Sequence, residues 1–313
     1  MNKKLLAILL FVTATFFGSL MGVFMRLAQS DINVFTASFL RFGIGFVIIL
    51  PYLFYSKFNV YKTNNIKLHF IRGIINVPIM YVGFAALMLI PLEQIQALHF
   101  IVPIIVTFLA VFFFKEKIRF ARISALIIGL IGMLVMLRPG IIEMNIGVYM
   151  VLFSSLVWSF IIIITKFLSK TDSPITILTY QYSLVTFFSL FIVIFFWEMP
   201  SSIIFLYTFL AALSGTVLHL ALIYSYKLVD LTLIQPFTFL SLIWASLFGY
   251  YIFGEEPDIF TWLGAIIIFS GVLIIFYRES YLKKDIAKES LGEESMTAQD
   301  LIDNLGQSFL KIA

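Results

Sequence analysis

The residues of this chain that could do chemistry are few, and most stand inside long apolar runs. Glu93, Gln96 and Phe100 lie three and then four positions apart, which puts them on one face of a helix. Asn76 comes one helical turn after Arg72, with Pro78 loosening the backbone beyond it. Arg41, Gln235 with Phe239, Trp158, Trp244, His99 and His219 also fall within apolar stretches. Such groups are costly inside a membrane and are retained there mainly for function. Their chemistry is that of holding, not transforming. The Glu93 carboxylate can attract a cation or bind a coupling proton, or it can cap the helix that follows Pro91. Arg41 can bind a carboxylate, or snorkel to an interface. Trp158 and Trp244 can form a cation–π wall for a sulfonium or ammonium group, or pack as core. His99 and His219 have no acidic or Cys companions at ligand spacing, so no metal is expected and hydrogen bonding between helices is their plain role.

Catalysis finds little support. The chain has no Cys, which removes thiolate metal sites and Cys nucleophiles. It also lacks a G-x-S-x-G elbow, an H-E-x-x-H helix and a Walker loop. No enzyme activity and no cofactor are expected.

The elements that must position these groups follow from composition. Of 313 residues, 61% are apolar and 12% are charged, with Phe alone supplying 36. Soluble domains carry about twice that charge, so most of this surface must meet lipid. The net charge of +4 is spread over short loops between apolar runs, and it reads as an orientation signal, not a nucleic-acid footprint. A helix needs about 20 apolar residues to cross a bilayer. On that measure the chain predicts ten spans, at 5–25, 34–56, 68–89, 92–114, 121–138, 146–166, 174–197, 202–226, 230–253 and 260–277. The first run is too long for a signal-peptide core, and Gly18-Ser19 makes a poor cleavage site. With the N-terminus cytoplasmic, all Lys and Arg residues except Arg26, Arg41 and Arg138 fall in segments on the cytoplasmic side. That places both termini in the cytoplasm of a multi-pass inner-membrane protein. The tail 278–313 contains a stretch at 296–305 with helical apolar spacing, either a short amphipathic helix or disordered chain.

The spans repeat. One constant shift lays Ile90-Pro91-Leu92-Glu93-Gln94-Ile95-Gln96 on Val229-Asp230-Leu231-Thr232-Leu233-Ile234-Gln235, Glu116 on Glu255, Ala125 on Gly264 and Gly132 on Gly271. A shift one residue longer lays Arg26 on Lys166, Thr36 on Thr176 and Arg41 on Gln181. Spans 1–5 thus correspond to spans 6–10, dividing the chain at 1–140, 141–277 and the tail. Five crossings is an odd number, so the second copy is inverted relative to the first. The expected fold is an all-α membrane protein of two inverted five-helix repeats, and such pairs support alternating access to a site between them. The facing groups of spans 4 and 9, with those of span 3 and span 8, would bound that site.

Two stretches carry a family resemblance. Pro103 to Glu116, reading PIIVTFLAVFFFKE, followed by ARISALIIGLIGMLVML, resembles the signature of EamA-type members of the drug/metabolite transporter superfamily. The second half shows the turn as Phe253-Gly254-Glu255-Glu256 and the Gly-containing span as Trp262-Leu263-Gly264-Ala265, but has Leu242 where the pattern has Pro. The resemblance covers about 1–277 and implies a ten-helix carrier of a small-molecule substrate. HFIRGI opening span 3 and YYIFGEEPDIFTWLGAIII near the end are similar to rickettsial S-adenosylmethionine uptake transporters. That likeness implies S-adenosylmethionine as cargo. Export of amino acids or amphipathic compounds is the alternative on the same scaffold.

Overall fold

The computed structural model describes residues 3–116, 120–137, 145–256, 258–271 and 273–274. Among these residues the chain is helical, without strands. The first half contains α1 (Lys3–Ala28), α2 (Val34–Tyr55), α3 (Ile66–Ala85), α4 (Leu92–Leu98), α5 (Ile101–Phe114) and α6 (Phe120–Leu137). The second contains α7 (Ile146–Thr171), α8 (Pro174–Phe196), α9 (Ser202–Leu228), α10 (Leu231–Ile234) and α11 (Leu240–Phe253), then α12 (Ile259–Gly271). Eight helical stretches are long and apolar enough to cross a membrane, and shorter apolar helices within α6 and at α12 fill the fifth and tenth places. The tail, with its expected helix at 296–305, and Arg138 lie outside the described residues.

Local sequence starts and stops these helices. The side chains of Asn33, Asn145, Ser173 and Ser201 accept from the backbone N–H of Thr36, Val148, Thr176 and Ile204, closing the first turns of α2, α7, α8 and α9. In each case one orphan donor of a helix start is satisfied. Asn33 and Ser173 occupy equivalent places in the repeat, so the two halves start their second span alike. The halves also turn alike after their fourth. Lys115 adopts φ 54° where the second half has Gly254 at φ 66°. This left-handed backbone costs a residue with a Cβ about 1–2 kcal/mol.

The halves pack by exchange of equivalent helices. α1 lies along α9, and its counterpart α7 lies along α3. α2 faces its own counterpart α8. α6 crosses α12 at two glycines: a Cβ on Gly132 would meet Ile268 and the carbonyl of Gly264, and one on Gly271 would meet Ile128 and the carbonyl of Ala125. The contacts of each glycine with a backbone carbonyl exchange under the repeat, Gly132–Gly264 for Gly271–Ala125. Small residues let the backbones approach this closely. Outward-facing Phe108, Phe112, Phe195 and Ile266 leave the apolar exterior that lipid demands.

One expectation is corrected. Spans 4 and 9 read as continuous over 92–114 and 230–253, yet both are broken in their first half. α4 ends at Leu98, and the backbone N–H of Val102 reaches His99 O at 2.9 Å before α5 continues. In the second half a 3₁₀ segment, Gln235–Phe239, separates α10 from α11. Pro103 and Pro236 have no N–H to continue an α-helical ladder at these points. Discontinuous helices that meet in mid-membrane are a recurrent feature of transporter binding sites.

Candidate functional site

A cavity of about 280 Å³ lies between the halves. Its lining comes from α1, α2, α3, α4 and the start of α5 in the first half, and from α7, α8, α9, the 3₁₀ segment and the start of α11 in the second. Most of its wall is apolar, including Phe11, Met80, Phe84 and Leu222, with a small set of polar groups set into it.

Of the residues singled out from the sequence, Arg41, Asn76, Gln96, His99, Trp158, His219 and Gln235 line this cavity. Gln96 and Gln235 are equivalent in the repeat, and they reach the cavity from the two broken spans. Trp158 also faces His219, with ring centroids 6.1 Å apart. Glu93 stands on α4 between two lining residues, Leu92 and Gln96, but its side chain lies outside the described residues. Phe100 and Trp244 do not reach the cavity. Phe100 is fully buried at the helix break against Phe239, with centroids 4.5 Å apart. Trp244 donates its indole N–H to Thr15 Oγ1 at 3.3 Å and meets Phe16 edge-on. For both, the expected helical face is displaced: the breaks at His99–Phe100 and Gln235–Phe239 shift which side chains point inward.

Two polar groups in or behind the wall, Gln181 and Arg72, had no assigned role. Gln181 is the counterpart of Arg41 under the repeat, and that correspondence was the signal for it. Arg72 donates to Gln181 Oε1 at 2.7 Å and to the Ile177 carbonyl at 3.3 Å. Gln181 Nε2 in turn lies 3.3 Å from His219 Nε2. His99 Nδ1 pairs with Ser155 Oγ at 2.8 Å. Both histidines are thus held by neighbouring helices.

Several donors of the described wall have no acceptor. Arg41 Nε and Nη1, Asn76 Nδ2 and Gln235 Nε2 are buried with no hydrogen-bond partner. Among the described residues, no Asp or Glu lines the cavity. A buried donor without an acceptor costs about 1–3 kcal/mol, more when charged, so this wall is built to receive a ligand that brings acceptors. Among the described residues no group of three His, Cys, Asp or Glu side chains is placed to hold a metal ion.

The ends of the cavity are tied differently. On one face Arg26 Nη1 meets Glu255 Oε1 at 2.6 Å, and the Arg26 guanidinium stacks on Phe253. On the other face Glu116 accepts from the backbone N–H of Leu231 and Thr232, each at 3.0 Å. Lys166 Nζ there donates to the carbonyls of Tyr226 and Val229, each at 2.6 Å. The repeat equates Arg26 with Lys166 and Glu255 with Glu116, so the same two residue pairs make different bonds at the two faces.

Comparison with known proteins gives a family model described as the EamA-like transporter family, matching residues 5–138 and again 145–277. The S-adenosylmethionine uptake transporter of Rickettsia prowazekii is 27% identical over 265 residues, covering 83% of this chain and 89% of that protein. The riboflavin transporter of Vibrio cholerae is 28% identical over 243 residues, covering 77% and 82%. A solved structure titled only as the crystal structure of a protein superposes with a TM-score of 0.73 at 16% identity, covering 88% of this chain and 98% of the other. That similarity concerns the fold.

Proposed function

The chain belongs to the EamA-like transporter family and is a multi-pass membrane transporter, and from that premise we propose that it takes up S-adenosylmethionine across the bacterial inner membrane. Both termini are cytoplasmic in this reading, as the Lys and Arg distribution requires. The observation that carries it is the cavity walled by equivalent helices of the two halves, with unsatisfied polar groups facing a small-molecule volume. The similarity to rickettsial S-adenosylmethionine uptake transporters over most of both chains supports the choice of cargo. Asn76, Gln96 and Gln235 orient the polar atoms of the substrate, and Trp158 provides an aromatic face for its sulfonium. Glu93, on the same short helix as Gln96, attracts the cationic substrate or binds a coupling proton.

Transport proceeds by rocking of the repeats 1–140 and 141–277 about the cavity. The present state has Glu116 capping α10 at the cytoplasmic face while Glu255 is held by Arg26 at the external one. In the opposite state the bonds exchange: Glu255 caps the start of α4 at Leu92, the counterpart of Leu231. Two states related by such an exchange lie close in energy, which lets a bound substrate tip the balance.

The test is uptake of labelled S-adenosylmethionine into bacteria expressing the chain, competed by unlabelled S-adenosylhomocysteine or riboflavin. Saturable accumulation competed by the demethylated product supports the reading. Accumulation no higher than in control cells, or uptake of riboflavin instead, removes it.

A further inference from the structure

Arg41 is the odd cation of the cavity. It is 1% exposed, and it lies two turns into the membrane-crossing helix α2. Its one polar contact is weak, from Nη2 to Met21 Sδ at 3.2 Å. The guanidinium sits 3.9 Å over the face of Phe42 and 5.8 Å from the ring of Tyr182. Among the described residues, Nε and Nη1 have no acceptor. Arg72, one layer behind, is served by the Ile177 carbonyl and Gln181; Arg41 is not. The space it fills is reserved for it, since a Cβ on Gly215 of α9 would overlap its guanidinium. Arginine stays charged under all ordinary conditions and presents a fork matched to a carboxylate. A bare guanidinium in so dry a place is costly, and it lines the same cavity as the unsatisfied amide donors of Asn76 and Gln235.

We propose that Arg41 is a carboxylate subsite: the cargo must present a carboxylate that pairs with the Nε and Nη1 edge of Arg41. The inference rests on the transporter reading above and narrows it. It selects substrates with an amino-acid head, such as S-adenosylmethionine, over riboflavin, which has no anionic group. It also assigns Gly215 as the residue that keeps the guanidinium in place. The aromatic face of Trp158 and the Arg41 fork then divide a zwitterionic substrate between them, cation to one and anion to the other.

The experiment measures ligand binding to the purified full-length chain in detergent, by thermal shift and titration, with ligands in matched pairs. S-Adenosylmethionine is compared with its decarboxylated form, and methionine with methioninamide; riboflavin is a third arm. For the wild type, loss of the carboxylate is expected to weaken binding on the order of 10- to 100-fold, the worth of charge-assisted hydrogen bonds. In Arg41→Gln the two members of a pair should bind alike, while Arg41→Lys should keep part of the preference. The wild-type pairs need no variant to fold. If S-adenosylmethionine and its decarboxylated form bind the wild type equally, the carboxylate subsite is overturned and the uptake reading stands. If S-adenosylmethionine does not bind but methionine outcompetes its amide, the uptake reading fails and the subsite stands. If riboflavin binds and no carboxylate is preferred over its partner, both fall.

Discussion

The rings of Phe100 and Phe239 meet with centroids 4.5 Å apart and planes inclined at 43°. They are equivalent residues of the two halves, so their contact lies on the axis that relates the repeats. Each marks the break of its span. The pair forms a small apolar cluster with Leu242 and Ile268 directly beneath the polar cavity, and it fixes where the broken spans cross.

Gly129 makes room for that contact, since a Cβ there would run into the ring of Phe239. Gly129→Ala is therefore expected to destabilise the protein by about 1–3 kcal/mol through overpacking. Combining it with Phe239→Leu should recover part of the loss. Thermal unfolding of the three variants in detergent checks this; an additive loss in the double variant would contradict it.

The two tryptophans should behave differently. Trp158 lines the cavity, and its replacement by Leu is expected to raise the KM for uptake by roughly 3- to 30-fold, the value of a cation–π contact. Trp244 is held by Thr15 and Phe16, so Trp244→Leu should lower the melting temperature and leave KM within about two-fold, as expected for a packing residue. Kinetics and melting curves on the same preparations separate the two roles.

Glu116 is buried and holds two backbone N–H groups at the start of α10. Glu116→Ala is expected to cost about 1–3 kcal/mol, because both donors lose a charged acceptor. The same substitution should open the Lys166 face. The chain has no Cys, so a single cysteine at Thr232 can be labelled with a membrane-impermeant maleimide in inverted vesicles. Faster labelling in the variant is the expected outcome; an unchanged rate would show that this face is closed by other contacts.

Glu255 is set by Arg26, while its Oε2 is buried without a partner. Arg26→Gln should free the carboxylate to reach the start of α4 and shift the population toward closure at the Arg26 face. Slower labelling of a cysteine placed at Ser19, which lines the cavity, would register the shift. Equal or faster labelling would argue against the exchange of bonds between the faces.

Much of this architecture is legible in the chain itself. Apolar runs of bilayer length, the one-sided Lys and Arg distribution and the pairing of Glu116 with Glu255 announce the spans and their duplication. The structure adds the caps at Asn33 and Ser173, equivalent residues of the two halves. The breaks in spans 4 and 9 are hidden for a physical reason. Their hydropathy runs on unbroken, and a proline near a break reads the same as a proline in the first turn of a continuous helix. Because the breaks redirect side chains, Phe100 and Trp244 read as cavity residues but pack elsewhere, while Arg41, Asn76, Gln96, Trp158 and Gln235 do line the cavity. Gln181 was visible only as the counterpart of Arg41, since a lone amide in an apolar helix does not announce its neighbours.

The pairing of α1 with α9 has one more consequence. Ser225 hydroxyl binds the Ala7 carbonyl, Phe11 meets Tyr226, and Leu218 covers Gly18, so the first helix of one repeat finds its close partner only in the other. Neither repeat, synthesised alone, has anything to lay against that face. Two fragments divided at the connection near residue 140 should be insoluble or degraded separately and should assemble when produced together, which makes the duplicated gene product behave as a covalent heterodimer whose subunits have lost the option of living apart.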